Sequence, residues 1–174
     1  MRTDQWFVAY TYSRSEKKVH RNLCRMGLEV YLPVQKVRRK WSDRIKIVEV
    51  PLFTSYVFVH TTRPMIPRLL GTDGIVRFLS FEKKLATVRE EEMELIRRIV
   101  SEGEEILVTD QKFRKGERVL VSSGPFVGLE GILVNEHGKH RFLIQIEGLS
   151  QSISVNIPDR YLQPIRRSGY ASRG

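Results

Sequence analysis

Apolar positions recur along this chain at two different periods, and the change of period divides it. Trp6–Thr11 is an unbroken apolar and β-branched run, which predicts a buried strand. Ser13 and Glu16 have the S-x-x-E spacing of a helix start. Val19, Leu23 and Met26 then fall on one helical face, and Gly27 stands where a helix-ending glycine belongs. "VYLPV" predicts a strand with Pro33 at an edge or bulge. "RIKIVEV" alternates apolar and charged residues, so it predicts a half-exposed strand. "SYVFVH" and "IVRFL" predict further strands, and "PMIPRLLG" between them a short helix. Thr87 and Glu90 repeat the capping spacing, and Leu95, Ile96 and Ile99 supply the apolar face of a last helix. The order β-α-β-β-β-α-β-α, with two helices on one face of a mostly antiparallel sheet, predicts a ferredoxin-like α/β sandwich.

From Lys112 onward the helical period is gone. The short runs "RVLVS", "GILVN", "RFLIQI" and "SISVNI" are separated by the turn-forming "SSGP", "NEHGK" and "EGLS". They predict a small SH3-like barrel of five strands, so the whole chain reads as α+β. The domain plan is 1–102 for the sandwich, 103–112 for a linker, 113–165 for the barrel and 166–174 for a flexible basic tail. Within the barrel, "GPFVGLEGILV" carries three glycines in an otherwise apolar run. Gly124 and Gly128 are expected in turns with Pro125 fixing one φ, and Gly131 where a side chain would meet neighbouring backbone. Phe126 is left at the loop tip, facing outward as a contact residue, with satellite packing as the alternative.

Charge sharpens this plan. The net charge is +10, and residues 1–86 hold 17 Lys/Arg against 7 Asp/Glu. Such asymmetry points to a polyanion, nucleic acid before others. The stretch Lys36–Lys46 holds six Lys/Arg and lies between strands, so it predicts a projecting hairpin arm. Lys36, Arg38, Arg39, Lys40 and Arg44 would neutralise phosphates, and Trp41 would stack on an unpaired base. Arg14 and Arg21, beside the first helix, extend the basic face. A merely solvated arm is the alternative.

Catalysis and cofactors find no support in the residues. His137 and His140 flank a turn without a nearby cysteine or patterned carboxylate, so no metal site is expected. Glu90–Glu94 suits a helix start, and Cys24 reads as a core-edge residue. No stretch is apolar enough to span a membrane and no secretory leader is visible, so a soluble cytoplasmic monomer is expected.

The residues also carry a family resemblance. "KFRKGERVLVSSGPFVGLEGILV" resembles the KOW motif of NusG-family transcription elongation factors. "WFVAYT" with Glu16, Lys17 and Val19, "GLEVYLPV", and "PLFTSYVFV" followed by "GIVRFL" resemble the family's NGN domain. Within the family, "EKKV…YLPVQKVRRKWSDRIKIVEVPLF" is most similar to UpxY-type paralogues, antiterminators of capsular-polysaccharide operons. Thr54–Ser55 departs from the family's Pro-Gly or Pro-Ser, which implies a looser turn before Tyr56. The resemblance implies a non-enzymatic factor that suppresses pausing and termination. Its docking patch for the clamp helices of RNA polymerase would be Tyr10, Phe53, Tyr56 and Phe58, although period two equally allows these to fill the core. It implies upstream or non-template DNA, or nascent RNA, against the arm. It implies a small-subunit ribosomal protein or Rho against the barrel loop Gly124, Pro125, Phe126, Gly128 and Gly131. A general factor coupling to Rho or the ribosome, and an RNA-binding ribosomal protein, are the competing readings.

Overall fold

The computed structural model describes residues 4–102, 106–109, 116–136 and 139–165. The first sheet is built around β1 (Gln5–Thr11), whose apolar run is buried on both sides as the sequence predicts. It is followed by α1 (Glu16–Arg25), β2 (Glu29–Tyr31), β3 (Val34–Lys40), β4 (Ile45–Pro51) and β5 (Tyr56–Thr61). Then come α2 (Ile66–Leu69), β6 (Ile75–Phe78), the small hairpin β7 (Ser80–Phe81) and β8 (Lys84–Leu85), β9 (Thr87–Val88) and α3 (Glu90–Ser101). The sheet order is β2-β5-β1-β6, with β9 also pairing β1, and every pairing is antiparallel. β3 and β4 pair only with each other, as a separate ribbon. Pro33 separates β2 from β3: the predicted "VYLPV" strand is two strands, one in the sheet and one in the ribbon.

Strand alternation divides the sheet's side chains between two clusters. Phe7, Ala9, Val57 and Val59 pack with Val19 and Leu23 of α1 and Ile66 and Leu69 of α2. Trp6, Val8 and Phe58 pack with Met93, Ile96 and Ile99 of α3. The sheet is therefore covered on both faces, where the sequence pattern placed two helices on one face and left the last helix unassigned. Met93 takes the central place expected of Leu95, which is only half-buried, and Met26 is exposed at the end of α1. Gly27 ends α1 at φ +80, the left-handed conformation a closing glycine permits. The other helix starts differ from expectation. α1 is capped at Ser15 rather than Ser13, and α3 at Arg89, whose N–H donates to Glu92 at 3.0 Å, rather than at Thr87.

The second sheet comprises β10 (Ile106–Thr109), β11 (Glu117–Val121), β12 (Glu130–Glu136), β13 (Lys139–Ile146), β14 (Gln151–Val155) and β15 (Leu162–Pro164). Its order is β10-β14-β13-β12-β11-β15, all antiparallel. It has six strands where five were expected, because residues 106–109 of the expected linker form β10. The remaining linker residues 103–105 and 110–112, and the tail 166–174, lie outside the described residues.

The two sheets do not stand apart. Val119, Val121, Phe126, Phe142, Ile144, Ile146 and Ile153 of the barrel belong to the same buried cluster as Phe58, Met93 and Ile96. A 3-10 turn at Glu147–Leu149 presses against β9. A Cβ built on Gly148 would overlap the Thr87 carbonyl oxygen and lie 3.1 Å from Val88 Cα. No helix among the described residues is long and apolar enough to cross a membrane.

Candidate functional site

The four aromatics expected as a docking patch do meet on one sheet face. Register pairs Tyr10 with Tyr56 and Val8 with Phe58. Tyr10 and Tyr56 touch edge-to-face at 5.9 Å between ring centroids, and Phe53 and Phe58 at 5.7 Å. Arg77 lies over the Tyr10 ring at 5.2 Å. Phe53 and Phe58 are fully buried, whereas Tyr10 and Tyr56 are half-buried. The expectation of an outward Tyr56–Phe58 face is thus corrected. A sheet apolar on both faces needs two covering layers, and here α3 and the barrel make the second. The turn before Tyr56 is held rather than loose. Ser55 sits at φ +64, and its N–H donates to Oε1 of the buried Glu16 at 2.8 Å. Glu16→Ala would leave that donor unsatisfied and should cost about 1–3 kcal/mol. Thermal unfolding of the variant checks this, and an unchanged midpoint would show that water replaces the carboxylate.

The arm is the β3–β4 ribbon. Directly opposed residues share a face, so Arg38 with Ile47 and Lys40 with Ile45 line one side, and Lys36 is on the same side. Arg39 and Lys46 line the other, with Lys46 Nζ 6.0 Å from the Trp41 ring centre. Trp41 is 56% exposed at the tip, where its backbone N–H donates to the Arg44 carbonyl at 2.8 Å. Ile45 and Ile47 are 68% and 65% exposed, an apolar strip that charge counting missed. Arg14 and Arg39 meet on the wall of one open cleft of about 820 Å³, joined by Lys17. Arg21 is exposed on α1, away from that cleft's lining.

In the barrel loop, Gly124 and Gly128 have φ +82 and +87, the turn conformations their positions required. A Cβ on Gly131 would lie 2.6 Å from both the Leu143 carbonyl and the Phe142 ring, so close approach excludes a side chain there. Phe126 is the correction: it is 3% exposed, not outward. The loop rests on α3. Arg98 donates through Nε and Nη2 to the Pro125 carbonyl at 3.0 and 2.6 Å, and through Nη2 to that of Val127 at 3.1 Å. Turn geometry pointed the ring away from the barrel, whereas it lies beside Val121, Ile157 and Tyr161 of the barrel and within the shared buried cluster.

Residues 4–97 match the family model described as transcription termination factor NusG. The chain belongs to the NusG family. Curated relatives agree. The transcription termination/antitermination protein NusG of Borreliella burgdorferi is 25% identical over 87% of this chain and 94% of that one. Its Streptococcus pyogenes counterpart is 28% identical over 87% and 92%. A solved structure described as domain interaction in Thermotoga maritima NusG superposes with a TM-score of 0.59 at 20% identity, covering 94% of this chain and 98% of that one, which supports the fold. The sandwich is then the NGN domain, the barrel is the KOW domain, and the chain is a transcription factor of the NusG type.

This NusG-family chain also carries a polar hub that its sequence did not signal. Arg97 of α3 lies over Trp6 at 5.2 Å and Tyr31 at 5.5 Å. It pairs with Glu90 at 3.1 Å, with Glu29 at 3.8 Å and with Glu94. Trp6 Nε1 donates to Glu90 at 2.7 Å and stacks on His60, which pairs with Glu29 at 2.9 Å. Burial pushes the Tyr31 hydroxyl above its usual pKa. The Trp6 hydrogen bond, with Arg97 behind it, holds the Glu90 carboxyl below the usual range. A carboxyl lowered on folding adds stability above its unfolded pKa and loses it as pH falls through the folded value. Glu90→Gln should therefore flatten the loss of stability between about pH 5 and 3, seen in urea midpoints across that range. A wild-type slope in the variant would show that the hub does not titrate through Glu90.

Cys24 is exposed beside His20, with Sγ 3.8 Å from Nε2, rather than at the core edge. No cluster of three metal-ligating groups occurs among the described residues, and His137 lies outside them.

Proposed function

We propose that this chain is a cytoplasmic elongation factor that binds RNA polymerase and suppresses pausing and termination. The observation that carries this reading is the gathering of Tyr10, Phe53, Tyr56 and Phe58 on one face of the NGN sheet. That face receives the polymerase clamp helices, and favouring the unpaused enzyme conformation needs only differential binding. The arm, through Lys36, Arg38, Arg39, Lys40, Trp41 and Arg44, lies against upstream or non-template DNA, with Arg14 and Arg21 continuing its charge. The exposed loop residues Gly124, Pro125 and Gly128 contact a ribosomal small-subunit protein or Rho. The likeness of the arm region to UpxY-type paralogues supports service to particular operons, capsular-polysaccharide genes among them. A second reading, a general factor coupling to Rho or the ribosome, is favoured by matches across 87% of the chain to relatives named for termination as well as antitermination.

Because the aromatic face is shared with the barrel's core, docking requires the barrel to move away. Tyr10→Ala with Tyr56→Ala removes the half-buried pair while leaving Phe53 and Phe58 in place. It should weaken binding to core polymerase by about 10–100-fold, the range for truncated interface aromatics, with circular dichroism unchanged. Equal affinity in the folded variant would remove the docking assignment. Run-on transcription over a pause, an intrinsic terminator and a Rho-dependent terminator then separates the two readings. Read-through at all three supports antitermination, and enhanced Rho-dependent stopping supports the general factor.

A further inference from the structure

We propose that the outer edge of β10 and the cationic wall facing it form a docking groove for an extended acidic segment of a partner protein. β10 pairs through Ile106↔Val155 to Thr109↔Ser152 with β14, and it ends the strand order. Among the described residues no strand pairs with its other edge, which offers main-chain donors and acceptors, the template on which an added strand builds. That edge borders the open cleft of about 820 Å³ between the domains, a volume in the range of ligand-holding clefts. Leu107 on β10 is 42% exposed beside it, an apolar step for one side chain of an incoming strand.

The far wall decides the occupant's charge. Arg14, Lys17 and Arg39 line it. The one carboxylate among the described cleft residues, Glu16, is buried and engaged by the Ser55 N–H. Lys17 Nζ donates to the Glu49 carbonyl at 3.2 Å, which steadies the ammonium without neutralising it. One wall thus asks for a strand's backbone and the other for negative charge. Side chains of an added strand alternate in direction, so a segment that alternates acidic and apolar residues satisfies both. Four residues opposite β10 would span about 13 Å. A nucleic acid would satisfy the cations but has no amide row to complete the ladder.

The groove shares Arg14 and Arg39 with the basic surface proposed above for DNA and exists only while the barrel rests on the first domain, so it is tested on the free chain, without polymerase or nucleic acid in the peptide titration. The probe is a fluorescein-labelled hexapeptide of alternating valine and aspartate, titrated into the full chain by anisotropy. Saturable binding is expected, together with slowed amide hydrogen exchange at residues 106–109. Arg14→Gln with Arg39→Gln should weaken it at least about fivefold, and Leu107→Asp similarly through charge repulsion. A peptide N-methylated at alternate residues, which keeps the charge and removes the strand's donors, should fail to bind. The proposal is overturned by absence of saturable binding, by equal binding of the N-methylated peptide, or by an oligothymidylate that displaces the peptide and slows exchange at the same amides. The wild-type arms decide the matter even where a variant folds poorly.

Discussion

Gly148→Leu should raise the affinity of this chain for RNA polymerase. The nearest atoms to a Cβ built at Gly148 belong to Thr87 and Val88 of the other domain. The residue is not in the left-handed region, so a leucine fits the barrel's own backbone. The substitution therefore acts as a wedge at the domain joint, with little effect on either domain alone. If the closed arrangement holds about 90–99% of the molecules, opening it raises apparent affinity about 10–100-fold, because affinity scales with the competent fraction. Titration of polymerase with wild type and variant measures this, alongside small-angle scattering to report opening. A variant that opens but binds no better would show that the aromatic face is not the docking surface.

The second large effect is expected at the arm. Arg38→Gln, Arg39→Gln and Lys40→Gln together should lower affinity for upstream-fork DNA. They should also reduce the slope of log affinity against log salt by about 0.7–0.9 for each phosphate no longer neutralised. The ribbon's geometry refines the expectation. Arg38 and Lys40 share a face with Ile45 and Ile47, whereas Arg39 lies with Lys46 on the other. DNA resting on one face would respond to Arg38 and Lys40 together or to Arg39 alone, not to both sets. Trp41→Ala should weaken single-strand binding by about 1–3 kcal/mol with little change of slope. Identical slopes for wild type and the triple variant would mean the arm is only solvated.

What could be read in advance was local. Gly27, Gly124, Gly128 and Gly131 each had a conformational or steric reason that needs only a few neighbours, and all four sit as expected. The period-two alternation of a strand puts Phe58 on one face and Val57 and Val59 on the other, in different clusters. It could not say what covers each face, because a second layer is supplied by residues far along the chain. Phe126 was misplaced because its glycine turns were read as pushing the ring outward, whereas it lies buried beside Val121, Ile157 and Tyr161. Ile106–Thr109 fell within the expected linker 103–112, and pairing with β14, well beyond it in the chain, is what makes it a strand. The Arg97 hub joins Trp6, Tyr31 and Glu90 from three separate elements, and no spacing rule links them.

The shared core of the two domains also makes the chain's behaviour depend on temperature. Parting the barrel from α3 exposes apolar surface on both, so opening carries a positive heat-capacity change. Apolar association of this kind weakens on cooling. On the proposed docking by opening, the open population is therefore expected to grow in the cold, and engagement of a partner through the uncovered face with it.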